Sequence, residues 1–247
     1  MLRNTIDTKV VREAKDPLYG YIKWTEIEDG IINSPEFQRL DRIEQMPTAK
    51  FVYPSGRYSR KSHSLGTMYL VHKALLYILY QQHRMIQGEI SPLFFGELVP
   101  IQAGYTGDNL SGKVSNWWDE KELDEIVQSV RLAGMLHDIG HGPFGHTFED
   151  VCRKMHTEKK LPKRFDHSAM GIKIIEERLS DKFKEPLTTE HVTEILKDKG
   201  KAPTFLHELI DSPYDCDKLD YLMRDAHHTG IEYGVIDCTR IPVSYTH

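Results

Sequence analysis

The segment His137-Asp138-Ile139-Gly140-His141-Gly142-Pro143-Phe144-Gly145-His146 places four imidazole or carboxylate groups within ten residues. Ile126, Val130 and Ala133 form an apolar stripe at helical spacing, and His137 continues it, so its ring is expected to face the core. A buried imidazole needs a partner for each nitrogen. Asp138 follows roughly a third of a turn away. A carboxylate at the edge of an apolar stripe is costly unless it is paired or bound to metal. One metal ion answers both requirements. For such a pair alone, a satisfied core histidine followed by a helix-end aspartate is the blander alternative. The glycines and Pro143 favour a sharp turn, with a second helix restarting at Pro143. Free backbone N–H groups at that helix start would suit a phosphate beside the metal.

His146 and Glu149 stand three residues apart and share a face of that second helix. A carboxylate beside an imidazole orients it and favours its charged form, as a general acid or base requires. Further on, Leu219, Leu222, Met223 and Ala226 form an apolar stripe, with Asp217, Tyr221 and Arg224 on the opposite face. That second face suits either solvent or a cleft for a sugar and phosphates.

Helices must position these groups. Periodicity predicts helices over residues 64–83 and 119–139. Asp166 caps a helix over 167–179, and another covers 189–197. Ser212-Pro213-Tyr214-Asp215 has the form of a capping box opening a helix that runs to about residue 227. Only residues 50–53 and 20–23 look like strand, and Tyr53-Pro54-Ser55-Gly56 reads as a turn. The fold class is therefore all-α, a helical bundle with at most a short β-hairpin near residues 20–55. Residues 88–118 lack periodicity and read as a long inserted loop.

With 247 residues, a single domain is the simplest organisation. The net charge of -5 gives no broad attraction to nucleic acid, so a phosphate-rich substrate needs local cations or a metal. Cys152, Cys216 and Cys238 are too few and too scattered for a disulfide framework, which fits a reducing, cytoplasmic compartment. The N-terminal residues have no apolar signal core. Residues 65–80, the most apolar stretch, contain His72 and Lys73 and fall short of the roughly 20 residues a bilayer span needs. No membrane association is expected.

Four blocks, in order, resemble the HD-domain phosphohydrolases, in particular the deoxynucleoside-triphosphate triphosphohydrolase branch that includes the SAM-and-HD-domain dNTPases and bacterial dGTPases. They are Ser34-Pro35-Glu36-Phe37-Gln38-Arg39-Leu40, Arg60-Lys61-Ser62-His63-Ser64-Leu65-Gly66, the His137 to His146 segment, and Asp215-Cys216-Asp217-Lys218-Leu219-Asp220-Tyr221-Leu222-Met223-Arg224-Asp225. The resemblance implies that His63, His137, Asp138 and Asp217 hold one divalent metal ion, of manganese, iron, magnesium or zinc. It implies His146 with Glu149 as the catalytic pair and His167 as a further catalytic or phosphate-contacting histidine. Arg60, His141 and Lys218 would contact phosphates, and Gln45, Tyr221 and Asp225 the sugar. The implied reaction releases triphosphate from a dNTP, with metal-activated water attacking the α-phosphorus. A homo-oligomer is implied as well.

The sequence departs from that branch in three places. Asn33 and Asp41 stand where an aspartate and an arginine read a guanine-nucleotide activator, which argues against such activation. The 88–118 loop widens the gap between His63 and His137. The last residues, Pro242 to His247, do not look like the helices that continue the family's pocket, so the domain is expected to be truncated at its C-terminus. Two other readings compete: an HD phosphohydrolase acting on another phosphoester, such as a nucleoside monophosphate or signalling nucleotide, and a non-catalytic nucleotide-binding module.

Overall fold

The computed structural model describes residues 10–86, 120–234 and 236. The inserted loop at 88–118, the start of the second helix at Asp119, Cys238 and the Pro242 to His247 stretch all lie outside them.

The described residues are mainly helical. A two-stranded antiparallel hairpin, β1 (Val10–Asp16) and β2 (Gly20–Thr25), leads into α1 (Glu26–Ile32) and the short α2 (Pro35–Gln38). Then come α3 (Arg60–Ile86), α4 (Glu120–Leu136), α5 (His146–Thr157), α6 (His167–Arg178), α7 (Thr189–Leu196), α8 (Thr204–Glu208) and α9 (Cys216–Thr229).

α3 is the central pillar. It packs on α4 along one side and on α9 along another, while α7 bridges α4 and α6. Met68, Val71 and Leu75 of α3 meet Val127, Val130 and Met135 of α4 in a fully buried core. That apolar interlock is the main force ordering the bundle.

Polar caps fix where the helices begin. Ser59 Oγ accepts from Ser62 N, and Arg60 N donates to Ile43 O, so α3 starts four residues earlier than periodicity predicts. Asp166 caps α6 as expected, accepting from Ala169 N. Asp215, rather than Ser212, caps α9: its carboxylate accepts from Lys218 N and also from Ser212 N. The acid of the expected capping box thus starts the next helix instead of closing one at Ser212.

The strands require correction. Residues 50–53 are not extended. Phe51 N donates to Thr48 O, and Val52 N and Tyr53 N donate to Ala49 O, giving a short 3-10 turn at Ala49–Phe51. Phe51 and Val52 are mostly exposed, so no sheet buries their apolar side chains. The Tyr53 to Gly56 turn is present, closed by Gly56 N on Tyr53 O. Residues 20–23 do belong to a strand, but its partner is Val10–Asp16, whose polar, exposed sequence gives no alternation to read. The helix expected from Pro143 begins at His146 instead. Phe144 and Gly145 both have positive φ, which interrupts helical geometry.

Candidate metal centre

Three helix ends converge on one point. His63 lies in the first turn of α3, His137 and Asp138 directly follow α4, and Asp217 lies in the first turn of α9. Asp217 Oδ1 is 2.9 Å from His63 Nε2 and 3.6 Å from His137 Nε2. Asp138 Oδ1 is 3.5 Å from His137 Nε2, and its Oδ2 is 3.7 Å from His63 Nε2. Ligand atoms sharing one ion at about 2.1 Å stand roughly 3 to 3.5 Å apart, so the spacing fits a single cation.

The tautomers agree with that role. His63 Nδ1 lies 2.8 Å from Asp220 Oδ2, and His137 Nδ1 lies 2.8 Å from Gly134 O. Both partners can only accept, so Nδ1 carries the proton in each ring. Each Nε2 is thereby aimed at the carboxylates, buried and without a well-formed hydrogen bond, even though Asp217 is close to His63. Two orphaned imidazole nitrogens beside two carboxylates are the donor set a divalent cation requires.

The electrostatics are strongly perturbed. Burial opposes a charge on His63, yet Asp217 and Asp220 push its pKa up to about 10. Burial likewise opposes ionisation of Asp138, but His137 and Arg60 hold its carboxyl well below the usual range. Asp217 is lowered by His137 and His63 against the same burial penalty.

Beside these four residues lies a cleft of about 300 Å³, lined by His137, Asp138, His141, His146, His167 and Asp217 together with His207 and Asp211. His141 is buried, its ring stacked on His167 at 3.9 Å, with Nε2 3.3 Å from Asp138 Oδ1. Burial pulls its pKa down to about 4, outweighing Asp138, so it is neutral. Glu149 is buried and accepts from His167 Nδ1 at 3.0 Å, whereas His146, far more exposed, stands 3.5 Å away. His167 is thus the firmer partner of Glu149. His141, His146 and His167 also lie close enough together to share an ion.

The structure does not leave the start of α5 free for a phosphate. Thr147 N donates to Phe144 O, and Phe148 N and Glu149 N donate to Gly145 O. The tight turn uses these groups internally.

The other expected contacts divide into two sets. Gln45 and Asp225 contact Tyr58, and Tyr221 borders His63. Gln45 N donates to Tyr58 O, the Tyr58 hydroxyl donates to Asp225, and the ring centres of Tyr221 and His63 are 6.5 Å apart. Gln45 Oε1 is buried without a partner. The cations are engaged elsewhere. Arg60 is buried against Asp138 through a short contact, and Lys218 Nζ donates to Asp215 and Ser212 O. Arg224 is neither in solvent nor in the cleft: it is 1% exposed and pairs with Asp220 and Asp16. Asn33 Nδ2 donates to Asp29 O at the end of α1, and Asp41 accepts from Ser59.

Sequence reasoning missed Asp220, Arg39 and Tyr58. Arg39 donates to Ile139 O and His141 O and so braces the His137 to His146 turn from the 3-10 turn Arg39–Arg42 that follows α2. Its only sequence signal was its place in one of the four blocks.

Residues 111–213 match the HD domain family model, a span that contains His137 and Asp138 but neither His63 nor Asp217. Over that span the chain is similar to HD-domain proteins. It is 30% identical over 96% of its length to an uncharacterized protein of Methanocaldococcus jannaschii, covering 38% of that protein. It is 28% identical over 92% of its length to the deoxynucleoside triphosphate triphosphohydrolase SAMHD1 of Homo sapiens, covering 35% of it. A crystal structure of a phosphohydrolase from Bacteroides thetaiotaomicron superposes with a TM-score of 0.66 at 26% identity, covering 94% of this chain and 45% of that one. The chain therefore spans about two-fifths of the length of the curated relatives it matches.

Proposed function

We propose that this chain hydrolyses a deoxynucleoside triphosphate to deoxynucleoside and triphosphate at a single metal ion. The observation that carries this reading is the convergence of His63, His137, Asp138 and Asp217 with both Nε2 atoms orphaned. The similarity to proteins named deoxynucleoside triphosphate triphosphohydrolase supports the substrate. When bound, a divalent cation supplies Lewis-acid chemistry, neutralising phosphate charge and making water a better nucleophile near neutral pH. Manganese, iron, magnesium and zinc all suit this donor set.

The chain's own residues supply the rest. Tyr221 and Asp225, with Gln45, receive the sugar on the Tyr58 side of the centre. Glu149 holds the proton on His167 Nδ1, while Nε2 lies 3.4 Å from Ser168 Oγ at the cleft wall, and His146 stands beside it as the alternative proton donor to the departing 5′-oxygen. His141, stacked on His167, is the phosphate contact only as the protonated ring, because its Nε2 faces Asp138 and a phosphate oxygen needs a proton on Nδ1. The described elements share one core around α3 and α4, which supports one HD domain over residues 1–247 interrupted at 88–118. Cys152 and Cys216 are buried thiols, which fits a reducing cytoplasmic setting. Among the described residues, no helix is long and apolar enough to cross a membrane.

One observation favours a second reading, hydrolysis of a smaller phosphoester: Arg60 and Lys218 are both held by carboxylates rather than facing the cleft. Product analysis separates the two. The protein loaded with manganese is expected to release inorganic triphosphate from at least one dNTP, and His137→Ala is expected to release none. Orthophosphate or pyrophosphate as the product would reject the triphosphohydrolase reading.

A further inference from the structure

Asp220 lies outside the four-ligand set and is completely buried. Both of its oxygens are fully used. Oδ2 accepts from His63 Nδ1 at 2.8 Å and Arg224 Nε at 2.9 Å; Oδ1 accepts from Arg224 Nη2 at 2.9 Å and the Tyr19 hydroxyl at 2.7 Å. Arg224 is equally buried, and its Nη1 reaches Asp16 Oδ2 at 2.8 Å. Asp16 in turn accepts from Leu18 N and Tyr19 N, closing the β1–β2 corner. The guanidinium also lies 5.6 Å from the centre of the Tyr19 ring. A chain of charge-assisted bonds thus runs from the hairpin corner through Arg224 and Asp220 to one imidazole of the metal centre. On α3, one turn beyond His63, Gly66 makes room for it: a Cβ there would fall 1.8 Å from Asp220 Oδ1.

A buried carboxylate satisfied this completely is expensive to assemble unless its geometry serves a purpose. We propose that Asp220 is the positioning residue of the metal centre, fixing the tautomer and ring plane of His63, and that the hairpin corner, through Tyr19 and Asp16, fixes Asp220. The inference rests on the metal reading above. A carboxylate on the far nitrogen of a metal-binding histidine orients the ring and raises its basicity, and removing it weakens binding by about 10- to 100-fold.

The test is titration of the full chain with manganese alone, followed by the visible spectrum of the cobalt-loaded protein. Asp220→Asn is expected to weaken manganese binding by about 10-fold or more and to shift the cobalt bands. Tyr19→Phe, which removes one hydroxyl, is expected to weaken binding by a smaller factor in the same direction. A remote core variant, Ile31→Val, is expected to lower the melting temperature and leave both readouts unchanged. A folded Asp220→Asn chain with wild-type affinity and spectrum would overturn the proposal. If that variant does not fold, unchanged values in Tyr19→Phe overturn it. A wild-type chain that takes up no manganese removes the metal reading and this inference with it. Wild-type binding with an indifferent Asp220→Asn removes this inference alone.

Discussion

At the scale of single residues, Arg60 and Asp138 form a buried ion pair within the site. Arg60 is 3% exposed and presses its guanidinium on a metal-ligand candidate that is itself buried. Removing one member of a buried pair leaves an uncompensated charge and costs about 3–5 kcal/mol. Arg60→Met is therefore expected to destabilise the metal-free chain by that order. Manganese would restore positive charge beside Asp138, so its addition should raise the melting temperature more in the variant than in the wild type. Equal increments would show that Asp138 does not face the ion. The His137-Asp138 pair was legible in the sequence because a stripe at helical spacing pointed it inward and glycines marked the turn after it. Asp220 was not legible. It has the same residue type as many surface acids, and its partners Tyr19 and His63 lie 201 and 157 residues away in the chain. Arg224 was read as solvent- or cleft-facing because helical periodicity describes only one helix at a time. The hairpin corner that buries it comes from the other end of the chain.

At the scale of elements, two contacts carry consequences. Gly140 touches the start of α6 so closely that a Cβ would fall 1.9 Å from His167 O and 2.5 Å from Gly171 N. Gly140→Ala must push α6 away, separating His167 from His141. Turnover is expected to fall by about 10- to 100-fold, the scale of a roughly 1 Å misplacement. Manganese affinity, set by other residues, should change little. Unaltered turnover would show that the stacked pair has no part in catalysis. The second contact joins α3 to α4, where Arg131 Nη1 donates to His72 Nδ1 at 2.9 Å while the same guanidinium grips Glu28. Burial first, then Arg131 and Lys73, lower the His72 pKa to about 3. Unfolded His72 takes a proton near pH 6.5 and the folded ring does not until about pH 3. Between those values the unfolded chain holds more protons, so this contribution to stability falls as pH falls, by at most about 1.4 kcal/mol per unit. His72→Gln keeps an acceptor without titrating. Relative to it, the wild type should lose stability between pH 6.5 and pH 4.5, as read by denaturant unfolding. Parallel curves would refute the assignment. Helix positions were mostly legible because the apolar faces of α3 and α4 are periodic and Asp166 marks the start of α6. The 50–53 segment misled because β-branched and aromatic residues signal strand only when a surface is there to bury them.

At the scale of the whole molecule, the proposed metal centre depends on three helix ends that no local pattern connects. α3 provides the pillar, and its contacts with α4 and α9 bring His63, His137 and Asp217 together across more than seventy residues on either side. The exposed run Phe51-Val52-Tyr53 offers an apolar surface suited to the proposed self-association, and sedimentation of the full chain is expected to show a species heavier than its 28.6 kDa monomer. A single monomeric species at micromolar concentration would count against it. The most direct test of the account is manganese stoichiometry, measured in the wild type and in Asp217→Ala, since Asp217 lies outside the matched HD segment and joins the site only through the fold. The expected result is one tightly bound manganese per wild-type chain and loss of that tight site in the variant. A wild-type chain that binds none, or an Asp217→Ala chain that binds as tightly as the wild type, would contradict the four-ligand centre.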